Sequence, residues 1–538
     1  MARRIDSRLR IFGVVHAETP LHVGGFGIDV DTDLPLARNG KGDLYVPGTG
    51  ITGVMRSWCE TSFDKSIVKE VFGFQEGDDG HASFILIEDA VVTLPDKLQT
   101  EIRDGVGIDR FYGTAADRAK YDRAILPKGT TLSFEMTVEI GKDGGGTKAV
   151  IGHLLAALTN GEIRFGASKT RGLGRIKLDL NEILEEKLLS FDDILSLFDD
   201  TKRRILSVKD LIDTDKNTSP KPDKPRLEIT IRWKPRLPLM VKAGHEGIGV
   251  DMLPLTSGSG EGNVSLCLPG SSIKGAFRAQ AERILRTLLD CEATNDRYKT
   301  KGIDVHEQIR LELIDELFGA KMEPPKNNES EDQKKRKMRL GLGALSIDDC
   351  YFGKQFDAAD WRVIESGRKT MRVNDREVEV TYTEQELWKA LKKIDGNADL
   401  SSPTKEFSIL HHVAIDRWTG GASEGALYSV LQPTARIGWQ QICLTLDLSR
   451  LPGRSLEKRC LMLLLLVLRD FSENRLPLGF ATNRGMGEVI VEKITGLDPI
   501  PSLLGLQGES FEAEIKDEHL IFHGDGVKRI LEEVWSYE

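Results

Sequence analysis

The chain has 538 residues, 40% hydrophobic and 29% charged, too long for one ordinary core, so at least two domains are expected. A net charge of −10 argues against a free-standing, nonspecific nucleic-acid binder, though it leaves room for RNA grooves inside an assembly. The six cysteines form no C-x-x-C pair and the ten histidines no H-E-x-x-H, so neither a disulfide framework nor a zinc centre is expected.

RLRIFGVVHA (8–17) alternates and opens the chain as a strand. An acidic loop, GIDVDTDLP (27–35), precedes PGTGITGVMR (47–56), where Pro-Gly turns into a helix. VFG (71–73), SFILIEDA (83–90) and VGIDRFYG (106–113) come next. KAVIGHLLAALTN (148–160) has helical periodicity and leads into a glycine loop, FGASKTRGLG (165–174), and a strand, GRIKLDL. The same landmarks then return in the same order. They are RLEITIRWKP (226–235), GIGVDMLP (247–254), PGSSIKGAFR (269–278), LFG (317–319), ALSIDDC (344–350), VAIDRWTG (413–420), a helix, LEKRCLMLLLLVLRDFSEN (456–474), and LGFATNRGMG (478–487) running into GEVIVEKI. An ordered set of matches of this kind marks two homologous units.

The expected organisation is therefore a first unit over 1–184, a helical segment and linker over 185–224, a second unit over 225–497 and a C-terminal extension over 498–538. DTDKNTSPKPDKPR (213–226), polar and with three prolines, is the linker. From Pro47 to Gly166 is 119 residues, and from Pro269 to Gly479 is 210, so the second unit carries an insertion, placed at 320–405. It includes a charged run, KMEPPKNNESEDQKKRKMR, and a helix, TYTEQELWKALKKI. Strand, helix, strands, helix, strand in each unit fits an α+β class with two tandem ferredoxin-like (RRM-like) modules. The longest apolar run, Leu461 to Leu468, falls short of the ~20 residues of a membrane span and reads as a buried helix. The basic N-terminus lacks the apolar stretch and cleavage site of a signal peptide, so a cytoplasmic protein is expected.

In the glycine loops, Gly166, Gly172 and Gly174, and then Gly479, Gly485 and Gly487, permit positive φ and close approach of backbone to a partner. Their N–H groups can cradle phosphate, aided by Lys169, Arg171 and Arg484. The plainer alternative is a tight helix-to-strand turn. A Walker P-loop is excluded, because these glycines lead into strands. At the Pro-Gly motifs, Gly48, Thr49 and Arg56 in the first unit and Gly270, Ser271, Ser272, Lys274 and Arg278 in the second can meet an anion at a helix N-terminus, or simply cap the helix. Arg110 with Phe111 and Arg417 with Trp418 can contact and stack on bases, or the aromatics can be core.

PGSSIKG-x-x-R, LFG, a short strand ending in acidic residues, IDR and a terminal glycine loop together resemble the RAMP superfamily of CRISPR RNA proteins. More narrowly they resemble the crRNA-binding backbone subunit of type III effector complexes, in its double-unit, type III-D-like form. That resemblance implies a crRNA guide, a complementary target RNA, and partner subunits that include neighbouring backbone subunits and a large polymerase-like subunit. It implies that a loop aspartate before a short Pro-containing strand cuts target RNA with Mg²⁺ or Mn²⁺, leaving 2′,3′-cyclic phosphate ends. Asp33, in a D-x-P context, and Asp251, in a D-x-x-P context one residue longer, take that place; Asp29 and Asp31 read as solvated. Asp33 and Asp251 would hold the metal loosely, through water. The segments after IDRFYG and IDRWTG match a hairpin that wedges into the guide–target duplex. Two further functions stay open: a non-catalytic crRNA scaffold, and a metal-independent crRNA-processing endonuclease using His22 or His245.

Overall fold

A computed structural model describes residues 4–25, 32–142, 144–199, 204–221, 226–244, 247, 250–293, 308–322, 324, 330–331, 334, 336–337, 340–366, 368–373, 376–381, 384–394, 406–436, 438–497, 500–504, 512–516 and 519–523. The chain forms two compact units. One comprises Met1–Glu101, Arg123–Lys169 and Leu173–Asp223; the other comprises Ile102–Asp122, Thr170–Gly172 and Lys224–Glu538.

The first unit is built on strand β1 (Ser7–Ala17), helix α1 (Gly48–Ser62) and strand β2 (Ile85–Ile87). In chain order a hairpin of β3 (Glu101–Ile108) and β4 (Ala115–Ile125) follows, most of it belonging to the second compact unit, and the first unit continues with β5 (Thr131–Ile140), α2 (Gly145–Thr159) and β6 (Ile176–Lys187). The strand order is β6-β1-β5-β2, antiparallel throughout. That is the ferredoxin-like order, with α1 and α2 as the two crossovers. Alternation sets the faces: Leu9, Ile11 and Val15 of β1 are buried, and their neighbours are only partly covered. Ile51, Met55 and Cys59, four residues apart on α1, form the stripe that packs into this core.

The second unit repeats the plan. It has β7 (Arg226–Pro235), α3 (Gly270–Leu288), β8 (Leu345–Ile347), and an insertion with α4 (Ala358–Ser366) and α5 (Glu384–Ile394). A hairpin of β9 (Phe407–Ile415) and β10 (Ala422–Pro433) leads to β11 (Ile442–Asp447), α6 (Arg454–Ser472) and β12 (Val489–Thr495). The sheet order β12-β7-β11-β8 is again ferredoxin-like. Each first strand also shifts register opposite its last strand, at Phe12/Gly13 and at Arg232/Trp233. The apolar run 461–468 lies inside α6, with Leu461, Leu463, Leu464 and Leu468 all at 1% exposure or less. Phe277 of α3 meets Phe471 of α6 at 5.3 Å between ring centres. The insertion is partly core: Trp361 of α4 stacks on Phe356 and lies against Phe407. Of the expected C-terminal extension over 498–538, only residues 500–504, 512–516 and 519–523 are among the described residues. No helix among the described residues is long and apolar enough to cross a membrane.

Candidate nucleic-acid interface

Three segments of each repeat meet: the glycine loop, the acidic loop and the second hairpin strand. In the first repeat Ala167 N–H donates to the His22 carbonyl (2.9 Å) and Gly174 N–H to that of Pro20 (2.9 Å). In the second, Phe480 N–H donates to Met240 (2.7 Å) and Gly487 N–H to Pro238 (2.9 Å). All six loop glycines have positive φ, between 72° and 94°. A Cβ at Gly166 would lie 2.1 Å from the His22 carbonyl oxygen, and one at Gly479 2.3 Å from that of Met240. At Gly174 and Gly487 it would strike the carbonyls of Phe165 and Leu478. The outer glycines therefore serve the turn itself. The middle ones differ, since Gly172 packs against Asp349 whereas around Gly485 no atom lies within 4 Å.

Backbone hydrogen bonds also fix the register of the acidic loops. Gly25 N–H donates to Pro35 (3.1 Å) as Ala243 N–H does to Leu253 (2.9 Å). The carbonyl of Leu34 accepts from Ala124 N–H (3.1 Å) as that of Met252 does from Leu431 N–H (2.9 Å). Asp33 and Asp251 thus hold the same place in their repeats, despite the different distance to proline. Both are exposed. Asp251 Oδ2 accepts from Ser429 N–H (2.6 Å) and Ser429 Oγ–H (2.8 Å). The backbone N–H of Ser429 chiefly, then its hydroxyl, holds the Asp251 carboxyl below the usual carboxylate range. Asp29, Asp31 and His245 lie outside the described residues.

The second hairpin strand supplies a partner that sequence reasoning missed. Arg171 Nη1 faces the Tyr121 hydroxyl at 3.5 Å, and Arg484 Nη1 bonds the Tyr428 hydroxyl. Tyr428 precedes Ser429, so one strand holds both the loop arginine and the loop aspartate of the second repeat. The signal was present, as a tyrosine six or five residues before the proline in KYDRAILP and LYSVLQP. Lys169 is on the same loop as Arg171, and His412 stacks on Tyr428 at 5.1 Å between ring centres.

At the Pro-Gly helices the arrangement differs from a Ser/Thr cap. The N-cap residues are Pro47 and Pro269, and the first helical N–H goes instead to a distant aspartate. Gly48 N–H donates to Asp89 (2.8 Å) and Gly270 N–H to Asp349 (2.8 Å). A carboxylate of the chain's own thus meets the positive helix end in each repeat. Thr49 and Ser271 are exposed and Ser272 is half-buried. Lys274 is buried, its ammonium donating to the Leu345 carbonyl at 2.7 Å. Burial pushes that ammonium well below the usual lysine range, and Arg171, Arg278 and Arg450 push the same way. Arg278 is engaged with Glu282 (2.7 Å) and the carbonyls of Gly319 (2.6 Å) and Ile309 (3.0 Å), while Arg56 pairs with Glu60 (3.0 Å).

At the hairpin tips Asp109 accepts from the Phe111 and Tyr112 N–H groups, and Asp416 from those of Trp418 and Thr419. These turns aim the aromatics outward, leaving Phe111 44% and Trp418 96% exposed, so neither is core. Arg417 is exposed, whereas Arg110 is turned inward onto Glu282 at 2.6 Å. His22 is buried, with Nδ1–H on the Ala124 carbonyl at 2.7 Å. Burial holds its imidazole below the usual histidine range.

Against this geometry, the family model described as the RAMP superfamily matches residues 14–177 and 253–490. The chain belongs to the RAMP superfamily. The two matched regions fall on the two ferredoxin-like repeats. Membership places this RAMP protein among the RNA-binding proteins of CRISPR systems, with crRNA as the ligand class. A comparison with individually curated proteins finds no match.

Proposed function

We propose that this RAMP protein is a two-unit backbone subunit of a type III CRISPR ribonucleoprotein that grips crRNA along its backbone and cuts paired target RNA at Asp33 and Asp251. The observation that carries the reading is the identical hydrogen-bonded station of these two exposed aspartates, one per repeat. In the second repeat Asp251 stands beside the strand that holds Arg484, so a carboxylate and a phosphate-binding cation share one rim. The hydroxyls of Thr49 and Ser271 offer further phosphate donors, and Phe111 and Trp418 offer stacking faces.

The reaction is an in-line attack of a ribose 2′-hydroxyl on the adjacent phosphate. The O2′–P bond forms, the P–O5′ bond breaks, and the leaving O5′ takes a proton from water, so that a 2′,3′-cyclic phosphate and a 5′-hydroxyl result. The aspartate orients the 2′-hydroxyl and accepts its proton, help worth ~10²–10⁴ in rate. A divalent ion, when bound, supplies charge stabilisation at the phosphate. Among the described residues no group of three or more His, Cys, Asp or Glu is assembled. Asp33 and Asp251 would each hold a hydrated Mg²⁺ or Mn²⁺ loosely, through water.

The scaffold reading has one observation in its favour: Asp251 is bonded to Ser429 as a strand-end brace. Cleavage of end-labelled target RNA by the guide-loaded assembly separates the two. Asp33→Ala and Asp251→Ala should each erase one band, at positions one repeat step apart, and EDTA should erase both. If every band survives the double variant, the protein is a scaffold. The buried ring of His22 gives no support to a histidine-based processing site.

A further inference from the structure

Beside the glycine loop of the second repeat lies a cavity of about 220 Å³. Met240, Val430 and Met486 form a buried apolar cluster there, with Phe480 and Tyr428 packed against it. His412 and Tyr428, paired across the β9–β10 hairpin, stack at 5.1 Å with their rings 20° apart. Arg484 lines the same cavity, exposed, with its guanidinium on the Tyr428 hydroxyl. No atom stands within 4 Å of a Cβ added at Gly485, so the loop side is open. Gln432, only 7% exposed, also lines it. One amide N–H of Gln432 donates to Ser408 Oγ at 3.2 Å, and among the described residues its side-chain carbonyl has no partner. A nearly buried amide with an unused acceptor is a group that a ligand can satisfy.

The same positions of the first repeat carry other chemistry. Matching Asp109 with Asp416 and Gly166 with Gly479 sets Gly105 against His412 and Ala167 against Phe480. Matching Ala124 with Leu431, whose N–H groups do the same work, sets Ile125 against Gln432. A Cβ at Gly105 would lie 2.4 Å from Cζ of Tyr121, the counterpart of Tyr428. The tyrosine ring therefore lies on bare backbone in the first repeat and on an imidazole in the second. The His412 and Phe480 rings and the Gln432 amide are particular to the second repeat.

We propose that this cavity takes one everted RNA base, adenine in preference, so that the second repeat reads one nucleotide by its identity. The His412–Tyr428 stack and the Phe480 ring offer π-faces that accept any base. Arg484 stands at the mouth, where it can meet the phosphate of the same nucleotide. An apolar slot with one cation at its mouth fits a nucleotide better than an aliphatic side chain, which has no use for the cation. The Gln432 amide supplies the choice. Its carbonyl can accept from adenine N6–H while its second N–H donates to N7. Guanine turns an acceptor, O6, toward that carbonyl and is disfavoured. The proposal rests on RNA binding by this repeat and not on cleavage.

The test is binding of short oligouridines by the full chain, read by fluorescence anisotropy. One probe carries a single central adenosine, one a single central cytidine, and one neither. The adenosine probe should bind about fivefold tighter than the cytidine probe. Gln432→Glu can accept from cytosine N4–H but cannot donate to adenine N7, and should reverse that order. Phe480→Ala, which installs the first repeat's residue, should erase the difference, and it keeps the test decisive if Gln432→Glu does not fold. Equal binding of the three probes by wild type, or an adenosine preference that either folded variant keeps, overturns the proposal and leaves a protein side chain as the occupant. Failure to bind any of the three overturns RNA binding by the repeat as well.

Discussion

The two glycine loops follow one backbone path and differ at their middle glycine. Gly172 has Asp349 against it, with an added Cβ only 2.0 Å from the carboxylate, whereas Gly485 has open space. The outer glycines are alike in both loops, each pressed on a neighbouring carbonyl. The fold therefore demands the outer pair, and the middle position is where a repeat can differ in what it touches. Substitution should expose that hierarchy. Gly479→Ala or Gly487→Ala combines a φ near +85° with a Cβ about 2 Å from a carbonyl oxygen, and should cost more than about 3 kcal/mol in urea unfolding. Gly485→Ala has only its φ of 80° to oppose it and should cost about 1–2 kcal/mol. Equal costs at the three positions would break the comparison.

The hairpin arginines differ in the same sense. Arg110→Ala leaves Glu282, 2% exposed, with Arg278 alone, and should destabilise the second unit by about 1.5–3 kcal/mol. Arg417→Ala, at an exposed tip, should change stability by no more than ~0.5 kcal/mol. Paired urea melts of the two variants measure this. A smaller effect is expected on RNA. Arg171→Ala and Arg484→Ala should each weaken crRNA binding about tenfold near physiological salt and lower the salt slope by about 0.7–0.9. Tyr428→Phe should reproduce part of the Arg484 loss by freeing that side chain, and an unchanged affinity would remove the tyrosine from the interface.

The repeat and its ferredoxin-like plan were legible because order and periodicity are sequence properties: RLRIFGVVHA alternates, and the Pro-Gly and glycine-loop motifs recur in place. The acidic-loop register was not legible, because counting to proline ignores which carbonyl accepts from which N–H. Leu253 stands in the place of Pro35, and only the ladder shows it. The role of Lys274 was hidden for a related reason. A lysine near a helix start looks like a phosphate ligand until the strand carbonyl of Leu345 is seen above it. Asp89 and Asp349 were passed over because a cap normally comes from the residue before the helix, whereas here it comes from 41 and 79 residues away.

The finest test lies where the repeats share a backbone role and differ in chemistry. The carbonyls of His22 and Met240 do the same work for their glycine loops, but only one of the two side chains titrates. Burial favours neutral His22, so its pKa in the folded chain lies below the ordinary 6.5. The unfolded chain then binds the proton more readily. Stability from this residue is complete above pH 6.5 and falls as the pH drops through the folded value. His153, lowered mainly by burial as well, adds to the same trend in the first unit. Thermal melts at pH 7.5 and 5.5 should show the first unit losing stability on acidification. His22→Gln should reduce that loss without abolishing it, while Met240→Leu, with no proton to bind, should leave the pH dependence as it is. If His22→Gln leaves the loss undiminished, the ring of His22 is not held neutral by its burial.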